Sequence, residues 1–403
     1  MSRSFDSGSH KVVKMKKTRM FFLLFMVAIT ISSADIFTLS LIQNATDNLF
    51  QNKDAQADMV SFFGFYIDKD FSRTSLFAQG GYNSLWENPD AAHLGMEVGI
   101  DHFITVNNQT ALYLLLDGGG TFYREEYSDF DHVSLDFYAA LKSYLSQTSI
   151  LKIDSSSTYK KYDLSIFDSL SQSLHFSLDK YFQTRTTLQA DAEWGYKYFL
   201  HPNFLNDESA SPEYPSGSTG KGKGYSKGKM FYQSQDPIDQ QGQGIQVLSL
   251  GGSIAQGLGS RVGLRVAGTK KFMLSGENPF AFIEDYYMIE NPSYDSYSWE
   301  GFQLETAVTA VLSWNMELKI GYNFFSRAFP GIDVLSNEGE STGEMRKDMR
   351  RQIALQLKKD FRHFSVFFSY AGIANSSNDF FFDWNGQFFS MGIEWNIFLG
   401  VKK

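Results

Sequence analysis

Cysteine is absent from this 403-residue chain, and its absence excludes several kinds of chemistry. Without thiols the protein forms no disulfide, holds no metal through thiolates and has no cysteine nucleophile. Long apolar runs are missing as well, since beyond residue 34 no stretch reaches the roughly 18 consecutive apolar residues that a membrane-spanning helix needs. Together with a mean hydropathy of −0.26, this shortage excludes a bundle of membrane helices.

Positive charge is also in short supply, with 36 Lys and Arg residues against 45 Asp and Glu residues. The formal net charge is −9, and it falls to −14 without residues 1–34, because that segment holds six bases and one acid. Proteins that bind nucleic acid neutralise its phosphates with clustered Lys and Arg. We therefore expect no nucleic-acid partner.

Aromatic residues and glycine, by contrast, are abundant, with 38 Phe, 21 Tyr and 33 Gly. The chain is long enough for two ordinary domains or for one large β-barrel. A mean hydropathy below zero is compatible with the barrel, because every second residue of a barrel strand faces a polar interior.

Residues 1–34 have the organisation of a secretory signal peptide. Basic residues precede an apolar run over residues 20–31, and small residues precede a cleavage site before Asp35. Met15, next to the basic residues, is a natural start for such a signal, so we interpret residues 1–14 as an upstream extension. We expect the mature protein, residues 35–403, to be one exported barrel domain.

The last strand carries the pattern on which the fold prediction depends. Over residues 386–399, bulky apolar side chains alternate with Ser, Gly, Glu and Asn, which is a period of two. Such a strand fits lipid on one face and water on the other. The segment 390–397 resembles the C-terminal assembly signal of bacterial outer-membrane β-barrel proteins, with Gly392, Trp395 and Ile397 at its defining positions. The resemblance implies outer-membrane lipid and the barrel-assembly machinery as partners.

The same alternation recurs along the whole mature chain, beginning with residues 37–41, which we expect to pair with the last strand. Short and long gaps alternate between these segments, as they do between the periplasmic turns and extracellular loops of outer-membrane barrels. The longest gaps are residues 201–242, 276–297 and 330–347. Clear alternating segments are residues 94–104, 133–145, 188–198, 262–266, 302–312 and 316–324.

The sequence therefore predicts an all-β fold: a single closed antiparallel transmembrane β-barrel of about 16 strands, within roughly 14 to 18. Short turns and both termini would face the periplasm, and long loops the exterior. Residues 345–359 are ambiguous, because Met345, Met349, Ile353 and Leu357 also fit helical spacing, which would make a loop helix before a shorter strand from Gln352.

A large soluble β-sandwich, or two in tandem, would show the same alternation, since periodicity alone does not tell which face is wet. The signal peptide, strands that reach the roughly 9 to 11 residues of a tilted bilayer strand, and the terminal segment favour the barrel.

Charged residues on the predicted inward faces are the candidate pore-lining residues. Acids concentrate on the earlier strands and bases on the later ones, so in a closed barrel they would occupy different arcs and set up a field across the lumen. The candidates are Glu97, Asp101, Asp117, Asp136, Asp179, Asp191, Glu193, Arg261, Arg265, Glu305 and Lys319.

Catalytic, metal and cofactor sites are not predicted. His93 and His175 lie among inward Ser and Asp residues, as in a Ser-His-Asp hydrolase of the outer-membrane phospholipase type, but no nucleophile motif accompanies them. The loop segment 214–222 departs from the phosphate-loop pattern, with Pro215 and Gly222 where Gly and Ser or Thr are needed.

By size the chain resembles porins, which implies passive diffusion of small hydrophilic solutes, and the excess of inward acids predicts a weak cation preference. The alternative is an exopolysaccharide-export barrel or a structural or adhesion barrel. Residues 46–50 are similar to an Asp-Asn-x-Phe turn in exporter barrels, although those follow helical-repeat domains that this chain lacks. The oligomeric state stays open.

Overall fold

The computed structural model of the chain describes residues 35–200, 244–276, 297–335 and 341–398. The predicted signal peptide and the predicted loop over residues 201–242 lie outside this part of the chain. Within it, the strands are β1 Ile36–Thr46, β2 Asp58–Phe71, β3 Thr74–Leu85, β4 His93–Thr105, β5 Thr110–Tyr123, β6 His132–Ser146, β7 Ser149–Tyr162, β8 Ser169–Tyr181, β9 Thr186–Phe199, β10 Gly244–Leu258, β11 Val262–Ser275, β12 Glu300–Val311, β13 Met316–Leu335, β14 Ser341–Asp360, β15 Phe364–Ser377 and β16 Trp384–Phe398.

These strands form one closed antiparallel barrel in which each strand pairs with its neighbours in the sequence. The barrel closes where β1 pairs with β16, from Ile36 opposite Phe398 to Thr46 opposite Phe388. The predicted all-β barrel, its strand number and the pairing of the first strand with the last are confirmed.

The outer wall of the barrel is apolar. Large hydrophobic side chains at alternate strand positions are exposed around its circumference, for example Leu116, Leu135, Phe176, Ile320 and Met391. A closed sheet leaves no unpaired strand edge, so it can cross the hydrocarbon layer with every backbone group paired. An apolar exterior of this kind faces lipid.

No helix in the described ranges is long and apolar enough to span a bilayer.

Connections of two lengths separate the strands, as predicted. The short ones lie at one end with the first and last described residues, as in the two-residue turns after β2 and β6. The long ones lie at the other end and contain short 3-10 helices, such as Glu125–Phe130 and Ser165–Phe167. Because outer-membrane barrels keep their termini and short turns in the periplasm, the long connections are extracellular.

The third hairpin from the C-terminus differs from the prediction. Residues 345–359 form no helix but belong to β14, a strand of 20 residues paired with the equally long β13. The predicted loop 330–347 is therefore mostly strand, and only residues 336–340 separate the two strands in the described structure. A spacing of four is also every second outward position of a strand, which is why Met345, Met349 and Ile353 fit both patterns.

Candidate functional site: the barrel interior

As an outer-membrane β-barrel, the chain offers solutes one enclosed polar surface, the inner wall. Its inner face is identified by a cavity of about 700 Å³ whose lining comes from strands on several sides of the barrel, including Asn44 of β1, Arg265 of β11, Lys319 of β13 and Ser390 of β16. Residues opposite these in the strand ladders share their face, which assigns the inner side of every strand.

The register places all the predicted pore-lining residues except Arg261 on the inner wall. Arg261 lies in the turn between β10 and β11 at the periplasmic end. In the terminal segment, Gly392 faces inward, where the ring of Phe367 lies close over it. Trp395 and Ile397 have the opposite parity and face outward, and Ile397 is 42% exposed.

Three acids run side by side across neighbouring strands and form what we call the acidic arc: Glu97 of β4, Asp117 of β5 and Asp136 of β6. Asp117 and Asp136 are direct cross-strand partners. Uncharged side chains donate hydrogen bonds to this arc: Gln79 Nε2 donates to Glu97 Oε2 at 3.0 Å, and the Thr158 hydroxyl donates to Asp136. In the described structure, no Lys, Arg or His forms an ion pair with any of the three.

Other inward acids are neutralised locally. Asp179 is 4% exposed and forms an ion pair with Lys152, with Nζ and Oδ2 2.7 Å apart. Glu305 is paired with Arg265 at 3.3 Å and also accepts from Gln303 Nε2 at 2.7 Å. These pairs leave the acidic arc, with Asp101, Asp191 and Glu193, as the predicted acids without an ion-pair partner in the described ranges.

The Arg265–Glu305 pair borders several of the polar cavities of the interior. Arg265 borders the large cavity, a second one of about 200 Å³ on the side of His175 and Asp191, and a third of about 330 Å³ toward the periplasmic turns. Glu305 borders the first two.

The residues of the hydrolase hypothesis do not assemble into a triad. His175 Nδ1 lies 2.9 Å from Asp154 Oδ2, but no serine hydroxyl bonds to this histidine in the described structure. Ser173 instead bonds to Ser156 at 2.8 Å. His93 contacts Asn83 and the carbonyl oxygen of Ala91. The arrangement contains no activated nucleophile.

The extracellular half of the interior holds an aromatic core that the alternation pattern does not predict. Tyr162, Phe199 and Val247 face inward near the extracellular ends of their strands, and Phe130 and Phe167 reach them from two 3-10 helical loops. Aspartates fix these loops: Asp131 accepts from the backbone N–H of Tyr123 and Asp168 from that of Tyr162, each at 2.7 Å. The inward apolar residues at these strand ends are the sequence signal for this core.

A buried basic cluster lies on β14, and the alternation pattern does not predict it. Arg346 and Arg350 are each 1% exposed. Arg346 donates to both carboxylate oxygens of Asp348, at 3.0 and 2.5 Å, and stacks on the ring of Phe382. Asp348 further accepts from the hydroxyl of Ser377 at 2.7 Å. Arg346, Asp348 and Arg350 lie in the segment 345–359, whose spacing also fits a helix.

Within the described ranges, no group of three or more acidic or histidine side chains has the geometry of a metal site.

No protein-family model matches the sequence, and no curated protein sequence is significantly similar to it. Among solved structures, the chain is similar to Acinetobacter baumannii OccAB1, with 9% identity and a TM-score of 0.48 over 91% of this chain and 98% of that one. It is similar to Pseudomonas aeruginosa OccK8 (OprE), with 10% identity and a TM-score of 0.43 over 91% and 98%. For the outer membrane protein opdK from P. aeruginosa the values are 9% and 0.44 over 90% and 99%. Likenesses this distant carry no information about function.

Proposed function

We propose that the protein is a porin-like channel for the passive diffusion of small hydrophilic solutes, with a weak preference for cations. The observation that carries the proposal is the polar inner wall, which surrounds cavities of about 200 to 700 Å³ with charged and amide side chains. A barrel of 16 strands is wider than its own side chains fill, so polar space of this kind is hydrated.

The cation preference is supported by where the unpaired acids lie. Asp117 of β5 and Lys319 of β13 belong to strands on opposite sides of the closed ring. The acidic arc therefore faces a wall with Lys319 and the paired Arg265. Because the arc has no basic partner in the described structure, its field acts on the lumen, and net negative charge in a pore attracts cations.

One further proposal concerns export of the chain. Residues 1–34 are removed before Asp35 becomes the first residue of the mature chain. A catalytic role is not included, because the described interior contains no activated nucleophile.

The alternative, an exopolysaccharide-export or structural barrel, has one supporting observation. The aromatic core around Phe199 narrows the extracellular half of the interior. A barrel closed in this way would pass little current unless a partner opened it.

Reversal potentials in planar bilayers under a salt gradient test the channel. We expect cation selectivity in the wild type and a shift toward anions in the variant Glu97→Gln/Asp117→Asn/Asp136→Asn/Asp191→Asn, which neutralises the whole acidic arc. A matched control removes four exposed acids that lie in the connections between strands and should leave the reversal potential unchanged: Asp54→Asn/Glu87→Gln/Asp90→Asn/Asp383→Asn. An unchanged potential in the first variant, or no conductance in any of the proteins, contradicts the proposal.

A further inference from the structure

A small polar patch interrupts the apolar outer wall on β7 and β8. Ser155 and Ser157 are outward residues near the middle of β7, a strand of 14 residues. Gln172 of β8 is the direct cross-strand partner of Ser157. We call Ser155, Ser157 and Gln172 the outer polar patch.

The residues around this patch on the same face are mostly apolar, apart from Tyr159 and from Tyr196, which lies opposite Gln172. Ser155 lies opposite Ala139 and Leu174, and Ser157 opposite Phe137. Leu135, Phe137 and Phe176 are 52%, 45% and 43% exposed, as expected of a wall in contact with lipid. The two serines therefore stand among lipid-facing side chains.

The side chains of the patch have no hydrogen-bond partner in the described part of the chain. Acyl chains offer none either, so the hydroxyls and the amide would stay unsatisfied against lipid. Polar side chains within a membrane form hydrogen bonds across protein interfaces instead.

We propose that the outer polar patch is a contact between two copies of this chain. Hydroxyl and amide groups each donate and accept, so the patch is complementary to itself when a second copy meets it around a two-fold axis. A charged partner would find no opposite charge on these three residues. The small Ala139 beside Ser155 lets the second wall approach closely.

The absence of cysteine allows a direct test, because one substitution introduces the chain's only thiol. Ser155→Cys, oxidised in native outer membranes, should give a reducible band at twice the monomer mass. Met391→Cys on β16 and Ile320→Cys on β13 place matched thiols on the outer wall away from the patch and should stay monomeric. Ser157→Cys provides a second position, and heat-modifiable migration verifies that each variant is folded.

The proposal also predicts the mass of the detergent-solubilised protein. The wild type should sediment as a dimer, and the folded variant Ser155→Leu/Ser157→Leu as a monomer. Cross-linking of Ser155→Cys and Ser157→Cys no stronger than in the two controls overturns the proposal. So does capture of a different envelope protein, or a wild type and double leucine variant of equal mass.

Discussion

Acidic residues of the inner wall differ in whether a base lies beside them, and this difference decides what each one contributes. Asp179 is buried against Lys152, so its charge is balanced where it lies. Asp117 instead faces Asp136 across the ladder. Like charges directly opposite each other destabilise a sheet, so the Asp117–Asp136 pair lowers the stability of the barrel. A wall with only a structural role would have no reason to keep such a pair.

Replacement of one member of the pair should therefore stabilise the barrel. We expect Asp117→Asn to raise the free energy of unfolding by about 0.2–1 kcal/mol at neutral pH, the range for cross-strand pairs. Urea unfolding in detergent micelles, followed by tryptophan fluorescence, measures this change. Asp179→Asn is the matched control and should lower stability, because Lys152 loses its partner; stabilisation by both substitutions would contradict the repulsion.

At the scale of elements, the strands follow from the sequence because lipid and water on opposite faces impose a period of two. The terminal strand β16 shows this separation into a lipid-facing and a water-facing side most clearly. Trp395 and Ile397 face outward and lie opposite Leu39 and Phe37 of β1, at the closing pair of strands. Acids there would be exposed to lipid and would weaken the contact that completes the barrel.

The variant Trp395→Asp/Ile397→Asp should consequently fail to assemble. An acid on the lipid face is unfavourable by about 1–3 kcal/mol, depending on depth. The yield of the heat-modifiable outer-membrane form measures assembly. Ser390→Asp/Asn396→Asp adds the same charge on the inner face and should assemble normally; equal yields from both variants would contradict a role of the outward face.

What fills the extracellular half of the interior could not be predicted from periodicity. Tyr162 and Phe199 occupy inward positions that the pattern assigns to polar residues, and they are covered by Phe130 and Phe167 from loops. A loop that folds back into a barrel is stabilised by non-local packing, and non-local packing leaves no period in the sequence. The Arg346–Asp348 pair could not be predicted either, because the spacing of four between outward residues of β14 also fits a helix.

The whole molecule has two different ends, and this asymmetry gives its orientation. Residues 201–242 join β9 to β10 at the end with the long connections. The segment is rich in glycine and contains Lys221, Lys223, Lys227 and Lys229, with little apolar sequence to bury. The short turns, including the one that contains Arg362, lie at the opposite end.

Trypsin added to intact cells should therefore cleave first within residues 201–242. Mass spectrometry of the fragments locates the cut. Arg362, exposed in the periplasmic turn between β14 and β15, serves as the internal control and should be cleaved only after the envelope is opened. Protection of the long segment in intact cells, with cleavage after opening, would reverse the orientation.

The pairing of β1 with β16 has a consequence for how the protein reaches its final state. Thr38 and Asn396, joined by a hydrogen bond of 2.9 Å, are 358 positions apart in the chain. Contacts between distant segments form slowly, whereas the hairpins between them form from neighbouring residues. Until the two ends meet, the first and last strands remain open edges to which foreign strands can add. The pairing of β1 with β16 therefore limits the rate of assembly, however quickly the intervening hairpins form.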